Sequence, residues 1–199
     1  MGEPEETAMT MRIRKRTALV AIWLFLLAAG CGKNRVEKLV QQLESDNPKA
    51  RRHAARELRD MGPAAQAAVP SLAKALKDPD AKVRRRAAQA FRDMGAGARD
   101  AVPSLAEALK DADPQIRQIA AAALAKIGPE AREAVTPLSA AMTDSVPQVR
   151  QVAARALGAI GPDAREAAPA LRTALRDSNA QVREAASKAL KRIKAAPGS

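Results

Sequence analysis

The chain repeats itself every 33 residues, and nothing else in it constrains the fold as much. Counting from Val36, the register restarts at Val69, Val102, Val135 and Ala168 with no insertion or deletion. The fourth place of each unit is Leu39, Leu72, Leu105, Leu138 and Leu171, and the eighth is Leu43, Leu76, Leu109, Met142 and Leu175. Place 19 is always alanine, and place 26 is Met61, Met94, Ile127, Ile160 or Ile193. A fixed period of this size marks a stacked array, in which each unit is one supersecondary element that cannot bury its apolar side alone. The units are read as 36–68, 69–101, 102–134, 135–167 and 168–194, with a tail at 195–199.

Each unit reads as two helices. Places 1, 4, 5 and 8 have helical spacing, with Pro70, Pro103, Pro137 and Pro169 near the start, where a missing amide costs least. Asn47, Asp80, Asp113 and Asn179 at place 12 are amino-terminal caps for a second helix, and Val146 breaks that pattern. The second helix ends at Gly62, Gly95, Gly128 and Gly161, which are expected to close it in the left-handed conformation. Aromatic residues make up only 2% of the chain, so close packing through alanine has to replace the area that large side chains would bury. The fold class is all-α, a solenoid of helical hairpins.

The segment Asp-Ser-Val-Pro-Gln-Val-Arg-Gln-Val-Ala-Ala-Arg-Ala-Leu-Gly-Ala-Ile-Gly, residues 144–161, resembles HEAT repeats of the phycobilisome-lyase-like class. The resemblance spans about residues 36–194. It implies an armadillo-like superhelix with the second helices on the concave side, and says little of function, because such folds host unrelated activities. Similar repeats form the di-iron enzyme deoxyhypusine hydroxylase, whose ligands come from several His-Glu pairs. The one histidine here, His53, is followed by Ala54, and a site of that kind cannot be assembled from one imidazole. Nor does the sequence hold a nucleophile with a base, a glycine-rich phosphate loop or a Cys-x-x-Cys pair. The expectation is a protein that is not an enzyme and takes no metal or cofactor.

Two polar patterns remain. Asp78, Asp111, Asp144 and Asp177 at place 10, with Arg51, Arg84, Arg117, Arg150 and Arg183 at place 16, recur with the architecture and are expected to form a structural ladder. Places 14, 17, 21 and 24 share one face of the second helix. In the first two units they hold Lys49, Arg52, Arg56, Arg59, Lys82, Arg85 and Arg92, with Gln89 and no acid. The third unit is neutral there, with Gln115, Gln118, Ala122 and Ala125, and the fourth holds Gln148, Gln151, Arg155 and Gly158. A solvated face that keeps an alanine-rich chain soluble is one explanation; a groove for an anionic partner is the other. The net charge is +12, and residues 1–30 hold only four of the 34 basic and three of the 22 acidic residues, so the rest carries +11.

The amino terminus reads as an address. Arg12, Arg14, Lys15 and Arg16 precede an apolar run from Ala18 to Ala29 and the only cysteine, Cys31, the three-part pattern of a secretory signal at 11–30. The run is shorter than the roughly 20 residues a spanning helix needs. Leu27-Ala28-Ala29-Gly30-Cys31 resembles a bacterial lipobox, with Ala28 where leucine is commoner, and the resemblance implies lipidation of Cys31, followed by a short linker (31–35). Simple secretion with an incidental cysteine is the alternative. Residues 1–10 are too acidic for a signal, so translation is expected to start at Met9 or Met11. Such an anchor would set Lys33, Arg35 and Lys38 beside anionic head groups.

The function expected is a scaffold of the cell envelope, on the inner or outer membrane and facing the periplasm or exterior. Its partner would be an acidic protein or an anionic envelope polymer. A nucleic-acid-binding protein is the second hypothesis, weakened by export and by Phe91 as the only aromatic residue after Cys31. An enzyme related to phycobilin lyases or deoxyhypusine hydroxylase is the third.

Overall fold

The computed structural model describes residues 34–194, so the start, the signal, Cys31 and the tail at 195–199 lie outside the described residues. The chain divides into a unit ending at Lys38 and a unit running from Leu39 to Ser199, which holds every helix from Pro48 onward. Every regular element among the described residues is helical. A helix at 34–43, α1, is followed by α2 (Pro48–Met61), α3 (Val69–Ala75), α4 (Ala81–Met94), α5 (Val102–Ala108) and α6 (Pro114–Ile127). The series continues with α7 (Val135–Ala141), α8 (Pro147–Ile160), α9 (Ala168–Ala174) and α10 (Ala180–Lys194). None of these helices is long and apolar enough to cross a membrane.

The second helices start and stop as their caps dictate. Asn47, Asp80 and Asp113 accept from the backbone N–H two residues on at 2.8–2.9 Å, and Asn179 does the same for Gln181. Val146 has no such side chain. Each closing glycine has φ between 53° and 79°, but its ψ lies near −130° rather than in the left-handed helical well. The expected left-handed close is thus corrected to a more extended joint, open to glycine because it lacks a Cβ. From that joint the chain does not loop. Gly62–Ala68, Gly95–Ala101, Gly128–Ala134 and Gly161–Ala167 form 3-10 segments that run directly into the first helices. In the first of these segments the two buried alanines, Ala65 and Ala68, are three residues apart, as are Ala98 and Ala101 in the next. Three residues per turn put such pairs on one side, toward the core.

Successive second helices pack on one another along their length, whereas the first helices of neighbouring units barely meet. The stack therefore curves with α2, α4, α6, α8 and α10 on its inner side. Small residues permit that approach: Ala87, Ala88, Ala90, Ala120, Ala121, Ala123, Ala153, Ala154 and Ala156 are fully buried. Larger side chains such as Leu58, Phe91, Leu124 and Leu157 are fully buried as well. The tightest point is Gly158, where an added Cβ would stand 2.9 Å from the Cα and 3.1 Å from the Cβ of Ala189.

The place-10 aspartates and place-16 arginines join successive units rather than partners within one. Arg51, Arg84, Arg117 and Arg150 each donate Nε to Oδ2 of Asp78, Asp111, Asp144 and Asp177 in the next unit, all at 2.7 Å. The Nη2 group completes a bidentate pair with Oδ1 at 2.8–3.2 Å. Nη1 donates to the carbonyl of place 10 in the arginine's own unit, such as Asp111 O at 2.9 Å for Arg117. Each aspartate also accepts from the backbone N–H two residues on, at 2.8 Å. One rung thus ties two hairpin loops together. Arg183, on the last described unit, donates only to the carbonyls of Asp177 and Ser178.

These rungs are charge-assisted and nearly dry, with 15% and 10% of the Arg117 and Asp144 side chains exposed. Hydrogen bonds from Arg117 and Arg150 hold Asp144 and Asp177 below the ordinary carboxylate value, against the opposing effect of burial. Arg117→Ala is expected to cost about 2–3 kcal/mol by leaving Asp144 without its partner. Because the folded pKa values are depressed, this stabilisation is complete above the ordinary carboxylate value of 3.8 and is lost as pH falls below it; urea titrations at neutral and acid pH, where R117A should narrow the gap, measure it. Gly158→Ala is expected to destabilise by about 1–3 kcal/mol through overpacking against Ala189, read as a lower urea midpoint with an unchanged slope.

Candidate functional site

The inner face of the stack presents places 14, 17, 21 and 24 of each second helix, since places 15, 19, 22 and 23 point into the core. Of the seven cations that the sequence picks out there, Lys49, Arg56 and Lys82 are exposed, and Arg52, Arg59, Arg85 and Arg92 are half-buried. Their partners separate them further. Arg52 pairs with Asp80, and Arg85 with Asp113 at 2.9 Å. Each aspartate is the cap of the next second helix, so these two arginines form a second, inner ladder rather than free groove charges. For Asp80, burial raises the pKa, but the Arg52 hydrogen bond and the Lys82 N–H outweigh it and the carboxyl lies below its ordinary value. Asp113 is lowered by its Arg85 bond against burial. Arg85 Nε itself is buried without a hydrogen-bond partner.

Arg59 and Arg92 lie against the adjacent acids of their own helices, Asp60 at 2.5 Å and Asp93 at 3.0 Å. Arg56 stands 3.8 Å from Glu57 and from Asp60, too far for a close pair. Lys49 and Lys82 make no ion pair with a described residue.

Between α2 and α4 the face holds a shallow, open cleft of about 340 Å³, lined by Lys49, Arg52, His53, Arg56, Lys82 and Arg86. Arg86, at place 18, joins this group from beside the stripe and donates to the backbone carbonyl of Arg52. Partial burial, and then the charges of Arg59, Arg56 and Arg52, pull its pKa below the ordinary arginine value, against a lesser counter-pull from Asp60. Arg86 and His53 are absent from the sequence-based stripe because place 18 changes character along the chain: His53, Arg86, Ile119, Val152, Ala185. The signal that finds them is adjacency across two units, not periodicity within one. A second cleft, about 250 Å³ between α8 and α10, mixes signs. Its lining includes Gln151, Arg155, Glu184, Lys188 and Arg192, with Glu184 and Lys188 paired at 2.6 Å.

A family model of HEAT repeats matches residues 36–109, 70–157 and 135–198. The chain belongs to the HEAT repeat family. No curated protein matches it significantly. Among solved structures, an engineered protein is 28% identical over 79% of this chain and 78% of its own, with a TM-score of 0.65. A complex of CpcE and CpcF of phycocyanin lyase from Nostoc sp. PCC7120 is also 28% identical, over 81% of this chain and 66% of that one, at a TM-score of 0.61. A designed armadillo repeat protein in complex with the peptide (KR)4 shares the fold at 19% identity and a TM-score of 0.67, covering 96% and 95% of the two chains.

For this HEAT array the two kinds of inner-face cation differ in what they do for the stack. Arg52→Gln and Arg85→Gln should each cost about 0.5–1 kcal/mol, less at high salt, because both pairs are partly exposed. Lys49→Gln and Lys82→Gln should leave stability within about 0.5 kcal/mol of the parent. Thermal unfolding of the four variants at low and high salt separates them.

Proposed function

We propose that this HEAT solenoid is a non-catalytic scaffold of the cell envelope that holds an anionic partner, an acidic protein or envelope polymer, against its inner face. One observation carries the reading: after the inner ladder has neutralised Arg52 and Arg85, the first two units still present Lys49, Arg56, Lys82 and Arg86 around one cleft, and that cleft's lining contains no acid. Four like charges set together raise the local concentration of a negatively charged partner and speed its arrival. The envelope assignment rests on the residues from Arg12 to Cys31, and lipidation of Cys31 would tether the array through the linker that follows.

The non-catalytic part rests on the residue inventory. A single histidine and a single cysteine lie 22 positions apart in sequence, His53 and Cys31, and among the described residues no three His, Cys, Asp or Glu side chains are grouped to hold a metal. The phycocyanin lyase complex is an enzyme component on a similar fold, but fold alone does not transfer its chemistry.

A fluorescent polyglutamate peptide should bind the purified protein in dilute buffer and be released at roughly 0.5 M salt. Reversing charge in a Lys49→Glu, Arg56→Glu, Lys82→Glu triple variant should abolish binding while helicity is retained; unchanged affinity would overturn the groove. For the envelope, palmitate labelling that depends on Cys31 and accumulation of precursor with globomycin are expected, and an unlabelled cytosolic protein would refute that half.

A further inference from the structure

The cleft between α2 and α4 is more specific than a basic face. The repeat architecture does not require its charges. In the third and fourth units the same places hold Gln115, Gln118, Ile119, Ala122, Gln148 and Val152, and α6 and α8 stack as closely as α2 and α4 do. Where the stack is indifferent, a convergence of five cations and an imidazole is a property of the site.

We infer that this cleft is a phosphate-binding site, taking a phosphoryl group that carries close to two negative charges on one centre. The inference rests on the anionic-partner reading and narrows it. Charge density makes the choice. A carboxylate brings one charge and is satisfied by one guanidinium, whereas a phosphate monoester carries about −1.5 to −2 at neutral pH, with three strong acceptor oxygens. Arg52 is already held by Asp80, and its backbone carbonyl fixes Arg86. Arg86 is therefore anchored in the lining of the cleft, crowded by the positive charges of Arg59, Arg56 and Arg52. Lys49 and Lys82 flank it as flexible point charges, and Arg56 offers a fork of donors from one turn further along α2. Two guanidinium planes and two ammonium groups around one cleft suit a compact, doubly charged, oxygen-rich group. A chain of carboxylates spaced along a peptide would leave part of that charge unmet. The cleft between α8 and α10 lacks the feature, because Glu184 occupies Lys188 within it.

The test is calorimetric titration of the full chain with pyrophosphate and with citrate at matched ionic strength, alongside the polyglutamate peptide. Pyrophosphate is expected to bind about tenfold or more tightly than citrate. Arg86→Met, which keeps an apolar stem, and Lys82→Gln should each remove that preference, with circular dichroism confirming the fold. Lys188→Gln, in the other cleft, should leave it intact. Equal affinity for citrate, or preference surviving in both R86M and K82Q, overturns the phosphate site even if polyglutamate still binds; loss of polyglutamate binding as well overturns the broader groove. Co-sedimentation with phosphatidylcholine vesicles containing phosphatidic acid identifies the source. Capture that pyrophosphate displaces assigns the phosphoryl group to a lipid, absence of capture assigns it to a soluble or polymeric phosphate, and capture that pyrophosphate leaves untouched places the lipid contact outside the cleft and overturns a lipid source for this site.

Discussion

The array depends on second helices that approach so closely that alanine and glycine are the residues that fit between them. That approach curves the stack and draws the exposed faces of α2, α4, α6, α8 and α10 into one continuous inner surface. Dispersion between small side chains and backbone replaces the large apolar area that aromatic residues would supply elsewhere. Leu58, Phe91, Leu124 and Leu157 supply the larger, fully buried side chains of the core. Between hairpins, the distance of closest approach is set by a methyl group or, at Gly158, by its absence.

Charge is then sorted by depth. The outer ladder from Arg51 to Asp177 is nearly dry and bidentate, and it closes the loops of adjacent units on each other. The inner ladder of Arg52 with Asp80 and Arg85 with Asp113 serves the helix caps. Above these two layers lies the charge that neither ladder uses, with Lys49, Arg56, Lys82 and Arg86 together in the first two units. A protein that needed cations only for solubility would gain nothing by collecting Lys49, Arg56, Lys82 and Arg86 at one cleft while its third unit carries glutamine and alanine.

The repeat, its length and the division of each unit into two helices were legible because one period governs every unit, and place-by-place alignment within a single chain exposes it. The 3-10 segments were not, since residues 62–68 and their equivalents are short runs that begin with glycine and often proline, and two alanines three apart are too few to announce a helix. The closing glycines signalled positive φ, but ψ depends on where the next segment must go, which local sequence does not state. At the inner face, the stripe was visible as periodicity, whereas the pairing of Arg52 and Arg85 with caps 28 residues away is a tertiary fact. Arg86 escaped because it is an exception to the period; binding residues of a repeat protein are places where one unit departs from the rest, and an averaged pattern suppresses them.

The outer ladder has a bearing on how such a protein changes size. From the second unit onward each unit encodes both halves of a rung, the arginine for the following neighbour and the aspartate for the preceding one, whereas the first has Ser45 where the aspartate would stand. Duplication or loss of one whole unit in the middle of the array brings a place-16 arginine to a place-10 aspartate again, and the loops reconnect as before. The chain can therefore grow or shrink in steps of 33 residues with its rungs intact, and each step moves the charged cleft relative to the far end without disturbing the cleft itself.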